Sequence, residues 1–261
     1  MIKTKNTKKQ SRRRLFRIGT TSYIYPDEIL PNVDKLKDKI GDIELVLFEF
    51  GKDSNIPSPV EVKKLRRLSR EHDFTYTVHL PLDIDLGGRK REVWRRRAGF
   101  FFERFAPLFP YAYVLHLNLP EAAEKNLSLW QERVEESLKR IAHDYPRLSR
   151  KIVIENLSYP FEYIDRLIIE NNYSICVDIG HLICRRIDPL EHLDKYFKYT
   201  RLIHLHGVKG TRDHVSLKHF DRGLLKRLMD FLKKRKYRGV ITLEVFSEKD
   251  FNESREVLWE N

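Results

Sequence analysis

The stretch ICVDIGH, residues 175–181, is a short apolar run that closes on Asp178, with His181 three residues further on. A nearly continuous apolar run of this length reads as a strand buried on both faces. Working outward, the same figure recurs. IVIENL (152–157) carries Glu155, and LIHLHG (202–207) carries His204 and His206. ITLEVF (241–246) carries Glu244, YTVHLP (76–81) His79, and YVLHLN (113–118) His116. RDH (212–214) adds Asp213 and His214. Strands that end again and again in a histidine or a carboxylate build one concave site at one face of a barrel, and they point to a metal-dependent enzyme.

Between the strand runs lie longer amphipathic ones. Strand candidates are LFRIGTTSY (15–23), DIELVLFEF (42–50), FTYTVHLP (74–81), YAYVLHLN (111–118), KIVIENL (151–157), YSICVDI (173–179), RLIHLHG (201–207) and GVITLEVF (239–246). Helix candidates with period-3.6 patterning include 58–72, 91–109, 128–145, 160–172, 188–200 and 222–236, and 249–261 reads as a closing helix. Ser58 before Pro59, with Glu61 near, marks a helix start, and Val60, Leu65 and Leu68 are read as its apolar face. Eight strands alternating with helices, in units of about 30 residues, predict a (β/α)8 TIM barrel over residues 15–261. An open doubly wound sheet would need a glycine-rich phosphate loop after its first strand, and RIGTTSYIYP (17–26) offers none.

Composition bounds the function. The chain of 261 residues carries a net charge of +12. Residues 1–14 hold four Lys, three Arg and no acid, so they account for +7 and leave +5 on the body. This segment reads as a basic disordered tail, which weakens the case for nucleic acid as partner. It lacks an apolar signal core, and no run is long enough to span a bilayer, so the expectation is a cytoplasmic protein without membrane contact. Two cysteines exclude a disulfide framework; Cys176 reads as a buried thiol, and Cys184 follows the His181 loop.

Imidazole and carboxylate together suit Zn, Mn, Co or Fe better than the oxygen-dominated Mg or Ca. The expected ligands are His79, His116, Glu155, Asp178, His181, His204, Asp213, His214 and Glu244. A catalytic zinc uses about three protein ligands, so this number predicts two or three divalent ions, Zn or Mn foremost. Such clusters favour hydrolysis of phosphate esters, with Glu155 bridging and Glu155 and Glu244 as catalytic carboxylates. Substrate contacts are expected from Glu49, from Arg89 or Arg91 on phosphate, from Trp94 on a ring, and from His206, which could instead support the ligands. His72, His143 and His192 lie in helical stretches and read as solvent-facing.

Glu155, Asp178, His204 and Glu244 resemble the four-ligand metal site of the xylose isomerase-like barrel superfamily, which includes sugar isomerases and epimerases as well as endonuclease IV-type enzymes. With His79, His116, His181, Asp213 and His214 the set is similar to the trinuclear zinc arrangement of the endonuclease IV branch. That branch separates its last Asp and His by one residue, whereas Asp213 and His214 are adjacent, and His206 stands where an amide is usual. A closer likeness is to the cobamide-remodelling phosphodiesterases of the same superfamily. It rests on IGTTSYIYPDEILPNVDKL (18–36), DIELVLFE (42–49), VHLPLDIDLG (78–87), IENLSYPF (154–161), VDIGHL (177–182), and IHLHGV (203–208) with DHVSL (213–217). This resemblance implies cleavage of the phosphoribosyl linkage in the nucleotide loop of a cobamide. The alternatives left open are a sugar isomerase or epimerase with one ion, an abasic-site DNA endonuclease, and a non-catalytic metal-binding protein.

Overall fold

Eight parallel strands close into a barrel in the computed structural model, which describes residues 15–50 and 53–260. They are β1 (Arg17–Thr21), β2 (Asp42–Val46), β3 (Thr75–His79), β4 (Ala112–Leu115), β5 (Ile152–Glu155), β6 (Ser174–Asp178), β7 (Thr200–Leu205) and β8 (Val240–Leu243). Each pairs with the next and β8 returns to β1, so no edge is left open. This is the (β/α)8 barrel that the alternation predicts. The expected tail, residues 1–14, lies outside the described residues.

The helices are α1 (Ile29–Leu36), α2 (Pro59–His72), α3 (Arg91–Phe105), the short α4 (Glu121–Glu124), α5 (Leu127–Asp144), α6 (Asp165–Glu170), α7 (Ile179–Cys184), α8 (Pro189–Tyr196), α9 (Arg222–Lys234) and α10 (Glu248–Glu260). Ser58 and Glu61 form a full capping box at the start of α2, an arrangement worth about 1 kcal/mol. The apolar face of α2 differs from the expected one. Val62, Leu65 and Ser69 are buried, at spacings of three and four, while Val60 is exposed. His192 also departs from expectation. It is buried on α8 against Phe161 and Tyr196, and burial lowers its imidazole to about 4. Among the described residues no helix is long and apolar enough to cross a membrane.

The period of two along each strand sorts side chains into two cores. Outward residues such as Ile43, Leu45, Tyr76, Val78, Tyr113, Leu115, Ile152, Ile154, Ile175, Val177, Ile203 and Ile241 pack beneath the helices. Inward residues Ala112, Val114, Val153, Cys176, Leu202 and Val240 fill the barrel itself. The barrel is therefore plugged with apolar side chains. The next inward positions toward the C-terminal ends of the strands must face an open cup, and those positions carry the ionisable residues.

Candidate metal centre

Glu155 is the hub of the cup. It ends β5 and is 1% exposed. Its Oε2 lies 2.9 Å from His116 Nε2 and 3.6 Å from His79 Nε2. Its Oε1 lies 3.4 Å from His204 Nδ1 and 3.5 Å from His181 Nδ1. One carboxylate thus faces two separate nitrogen pairs. The donor atoms of Glu155, Asp178, His204 and Glu244 all lie within 4.8 Å of one another, as do those of His79, His116 and Glu155 and those of His181, His206 and His214.

Neighbouring backbone fixes these side chains. Asp178 ends β6 and caps α7, with Oδ1 accepting from His181 N–H at 2.7 Å. The Asn156 side chain clamps Asp178 by its backbone, accepting from its N–H at 2.7 Å and donating to its carbonyl at 3.0 Å. The Asn156 carbonyl in turn lies 3.1 Å from His181 Nδ1. Asn156 escapes a sequence reading restricted to ionisable groups, although it directly follows Glu155. His206 is fully buried, with Nε2 3.2 Å from Asp178 Oδ1 and Nδ1 2.9 Å from the His214 amide nitrogen. With both nitrogens in use, it supports Asp178 and His214 and does not line the opening. A Cβ on Gly180 would sit 2.0 Å from the His206 ring, so only glycine lets α7 approach this closely.

The hairpin of Gly207–Lys209 with Arg212–Val215 delivers His214. Its φ of 49° is left-handed, an uncommon setting for a non-glycine residue. The ring turns inward, with Nδ1 3.5 Å from Glu244 Oε2. Asp213 shares no donor group with the rest; its side chain is 43% exposed and its carboxylate is 3.9 Å from His214 Nε2. The hairpin thus brings the His214 ring against Glu244 and leaves the Asp213 carboxylate beside His214 Nε2, outside the donor groups.

A further residue enters the cup that the strand-end reading does not include. Glu44, on β2, is fully buried. Its Oε2 is 3.1 Å from His204 Nε2, and its other oxygen has no hydrogen-bond partner. Its donor atom groups with those of His79 and Glu244. Parity explains the oversight. Ile43, Leu45 and Leu47 face outward, so Glu44 faces in, whereas Glu49 continues the outward parity of the run. Glu49 forms a two-bonded ion pair with Arg97 on α3.

The other expected substrate contacts lie apart from the cluster. Arg91 is held by Glu136 through Nε at 2.9 Å and Nη2 at 2.7 Å. Trp94 packs, half-buried, against the outer core. Arg89 lines a cavity of about 300 Å³ with Gly88, Trp130 and Arg133, between the loops that follow β3 and β4. Both cysteines are free: Cys176 lies inside the barrel and Cys184 is exposed.

The electrostatics fit a cation. Glu44, Glu155, Asp178 and Glu244 are all buried, and among the described residues their ion-pair partners are imidazoles. Burial would raise the Glu155 carboxyl, but His204 and His116 outweigh it and hold the group well below the carboxylate range. Glu244 is held low in the same way, chiefly by His204. Burial would lower His79, yet Glu155 and Glu44 push it up to about 9. Asp178 does the same to His206, also to about 9. His204 Nδ1 and Glu244 Oε2 lie 3.1 Å apart, both buried and neither aligned in a hydrogen bond. Such orphaned atoms are costly without a shared partner, and nitrogen and oxygen donors in this mixture suit Zn, Mn or Fe.

A family model described as "Xylose isomerase-like TIM barrel" matches residues 41–260. No curated protein matches the chain. Among solved structures, a D-tagatose 3-epimerase-like protein is 21% identical, with 94% of this chain and 96% of that one covered at a TM-score of 0.77. Endonuclease IV from Thermus thermophilus is 20% identical, with 94% and 100% covered at 0.71. The 3-keto-D-glucoside 4-epimerase of E. coli is 16% identical, with 94% and 98% covered at 0.67. These likenesses agree on the fold, and the family match spans most of the barrel: the chain belongs to the xylose isomerase-like TIM barrel family.

Proposed function

We propose that this protein is a metal-dependent phosphodiesterase that cleaves the phosphoribosyl linkage in the nucleotide loop of a cobamide. The observation that carries the reading is the straddling carboxylate: Glu155 turns one oxygen to His79 and His116 and the other to His181 and His204. A single ion would use only one side. His79, His116 and Glu155 would hold one ion, and Glu155, Asp178, His204 and Glu244 would hold another, with His181 and His214 beside them. Divalent ions bound there would polarise the phosphoryl group, lower the pKa of water and stabilise the leaving oxygen.

The chain's own residues set the rest. Water oxygen adds to phosphorus, the bond from phosphorus to the ribose oxygen breaks, and that oxygen takes up a proton. Glu155 and Glu244 are both held ionised, so either can bind a cation, and the proton that the water gives up ends on the ribose oxygen. His206 and Asn156 hold Asp178, and the apolar plug beneath closes the cup from below.

The rim supports a large, non-ionic substrate face. Tyr23, Phe48, Leu82 and Phe246 are exposed on the loops after β1, β2, β3 and β8. Those four strands are consecutive in the barrel, so the loops that carry these side chains follow one arc of the rim. Phe246 packs 5.4 Å from the His214 ring, and Tyr23 is 6.2 Å from Phe48. A corrinoid has the apolar extent to lie on such an arc, whereas a DNA backbone calls for cations. Incubation of Zn- or Mn-loaded protein with a cobamide, followed by chromatography, tests the reading. Release of the lower-ligand nucleoside and a corrinoid phosphate is expected; no release with any divalent ion sinks it.

The group Glu155, Asp178, His204 and Glu244 also favours a second reading, a sugar epimerase with one ion. There the two glutamates would exchange a proton with substrate carbon. One ion per chain, and turnover indifferent to His79→Ala, would support it over hydrolysis.

A further inference from the structure

We infer that Glu44 positions His204: by accepting a hydrogen bond from Nε2–H it makes Nδ1 the atom that the ring offers to the metal centre. The inference rests on the metal-centre reading above. Glu44 reaches across the barrel interior from β2 to a histidine on β7, past β8 and β1. Both side chains are fully buried, and Glu44 Oε2 stands 3.1 Å from Nε2. Thr242 on the intervening β8 reaches the same oxygen with its hydroxyl at 3.4 Å. On the opposite edge of the ring, Nδ1 faces Glu244 at 3.1 Å, Glu155 at 3.4 Å and Asp178 at 3.8 Å.

Neutral imidazole has one N–H and one lone pair, and the partner of one nitrogen decides the state of the other. A carboxylate can only accept, so Nε2 keeps its proton and Nδ1 is left with the lone pair. That lone pair points into the one region where three carboxylates converge. Rotation of the ring by half a turn would aim a carbon at the cup, and the Glu44 contact is what opposes it. Loss of a group that accepts from a ligand histidine lowers metal affinity by about 10- to 100-fold.

Titration of purified wild type, Glu44→Gln and Glu44→Ala with Co²⁺ reads this out without turnover. Glu44→Ala is expected to bind about 10- to 100-fold more weakly and to change the visible ligand-field bands. Glu44→Gln, whose amide oxygen can still accept from Nε2–H, recovers part of the affinity and decides the matter if Glu44→Ala does not fold. In Zn-loaded protein, ¹⁵N-histidine spectra should show His204 bound through Nδ1 with Nε2 protonated. If wild type takes up no metal, the metal-centre reading itself fails. If wild type binds and both variants keep its affinity and its bands, or if His204 binds through Nε2, only the role of Glu44 is overturned.

Discussion

Glu155 Oε2 lies 2.9 Å from His116 Nε2, on the far side of the carboxylate from the oxygen that faces His204. Because the two oxygens serve different nitrogen sets, removal of one set should empty one position and spare the other. Metal content per chain is expected to fall by one ion in His116→Ala and by more than one in Glu155→Ala. Elemental analysis after dialysis checks this. Equal losses in the two variants would mean that Glu155 does not bridge.

Proton linkage gives the pH dependence of metal binding. In the metal-free chain His79 and His206 sit at about 9, above the ordinary 6.5. Their contribution to stability is complete below about pH 6.5 and is lost as pH rises through about 9. Glu155 and Glu244 are depressed, so theirs is present above the ordinary 4.5 and fades only in stronger acid. A cation held by His79 must displace its imidazole proton. The rise in Tm on adding Mn²⁺ should therefore be small near pH 6 and grow toward pH 9. Paired melts across that range check it, and an increment that shrinks with rising pH contradicts it.

Much of this cup is legible in the sequence because barrel strands are apolar on both faces, so an ionisable residue at a strand end stands out. His79, His116, Glu155, Asp178, His204 and Glu244 all carry that mark, His181 follows one of them by three residues, and they converge. Glu44 does not, since it lies inside its strand and only parity reveals it. Arg91 and Trp94 were suggested by a charge run whose partners, Glu136 and the outer core, come from elsewhere in the chain. Local pattern reports which face a residue takes; it does not report which distant side chain meets it there.

The apolar arc makes a prediction that separates binding from chemistry. Burying an aromatic ring contributes about 1.5–3 kcal/mol. Phe246→Ala and Tyr23→Ala should each weaken binding of a corrinoid that lacks the nucleotide loop by roughly 10-fold or more, by that figure. With a cobamide substrate KM should rise while kcat and metal content hold. A drop in kcat alone would place these rings in the chemistry instead.

Asp213 and His214 are neighbours with unequal access, 43% and 24% exposed in their side chains, and only His214 shares a donor group with the cluster. His214→Ala should reduce metal content or affinity, whereas Asp213→Ala should leave both within about twofold, as expected for an exposed carboxylate. Competition with a chromogenic chelator measures the two. A larger loss from Asp213→Ala would show that the hairpin rearranges when the ion binds.

At the opposite end of the barrel, Asp42 offers a test free of metal. It is fully buried on β2, with Oδ2 accepting from the Thr75 hydroxyl at 2.5 Å and Oδ1 without a partner. Burial pushes its carboxyl from 3.8 to about 7, against the pull of Thr75 and Thr77 and with help from Glu44. The folded chain thus holds this proton more tightly than the unfolded one. Stability is lost as pH rises from about 4 through about 7, and the deficit persists above. Asn imitates the protonated acid, so Asp42→Asn should melt higher than wild type near pH 8, and the gap should close toward pH 4. Calorimetry at the two ends checks it. A variant that is less stable than wild type near pH 8 would mean that the ionised carboxylate has a partner there, with Arg17 the nearest candidate by charge.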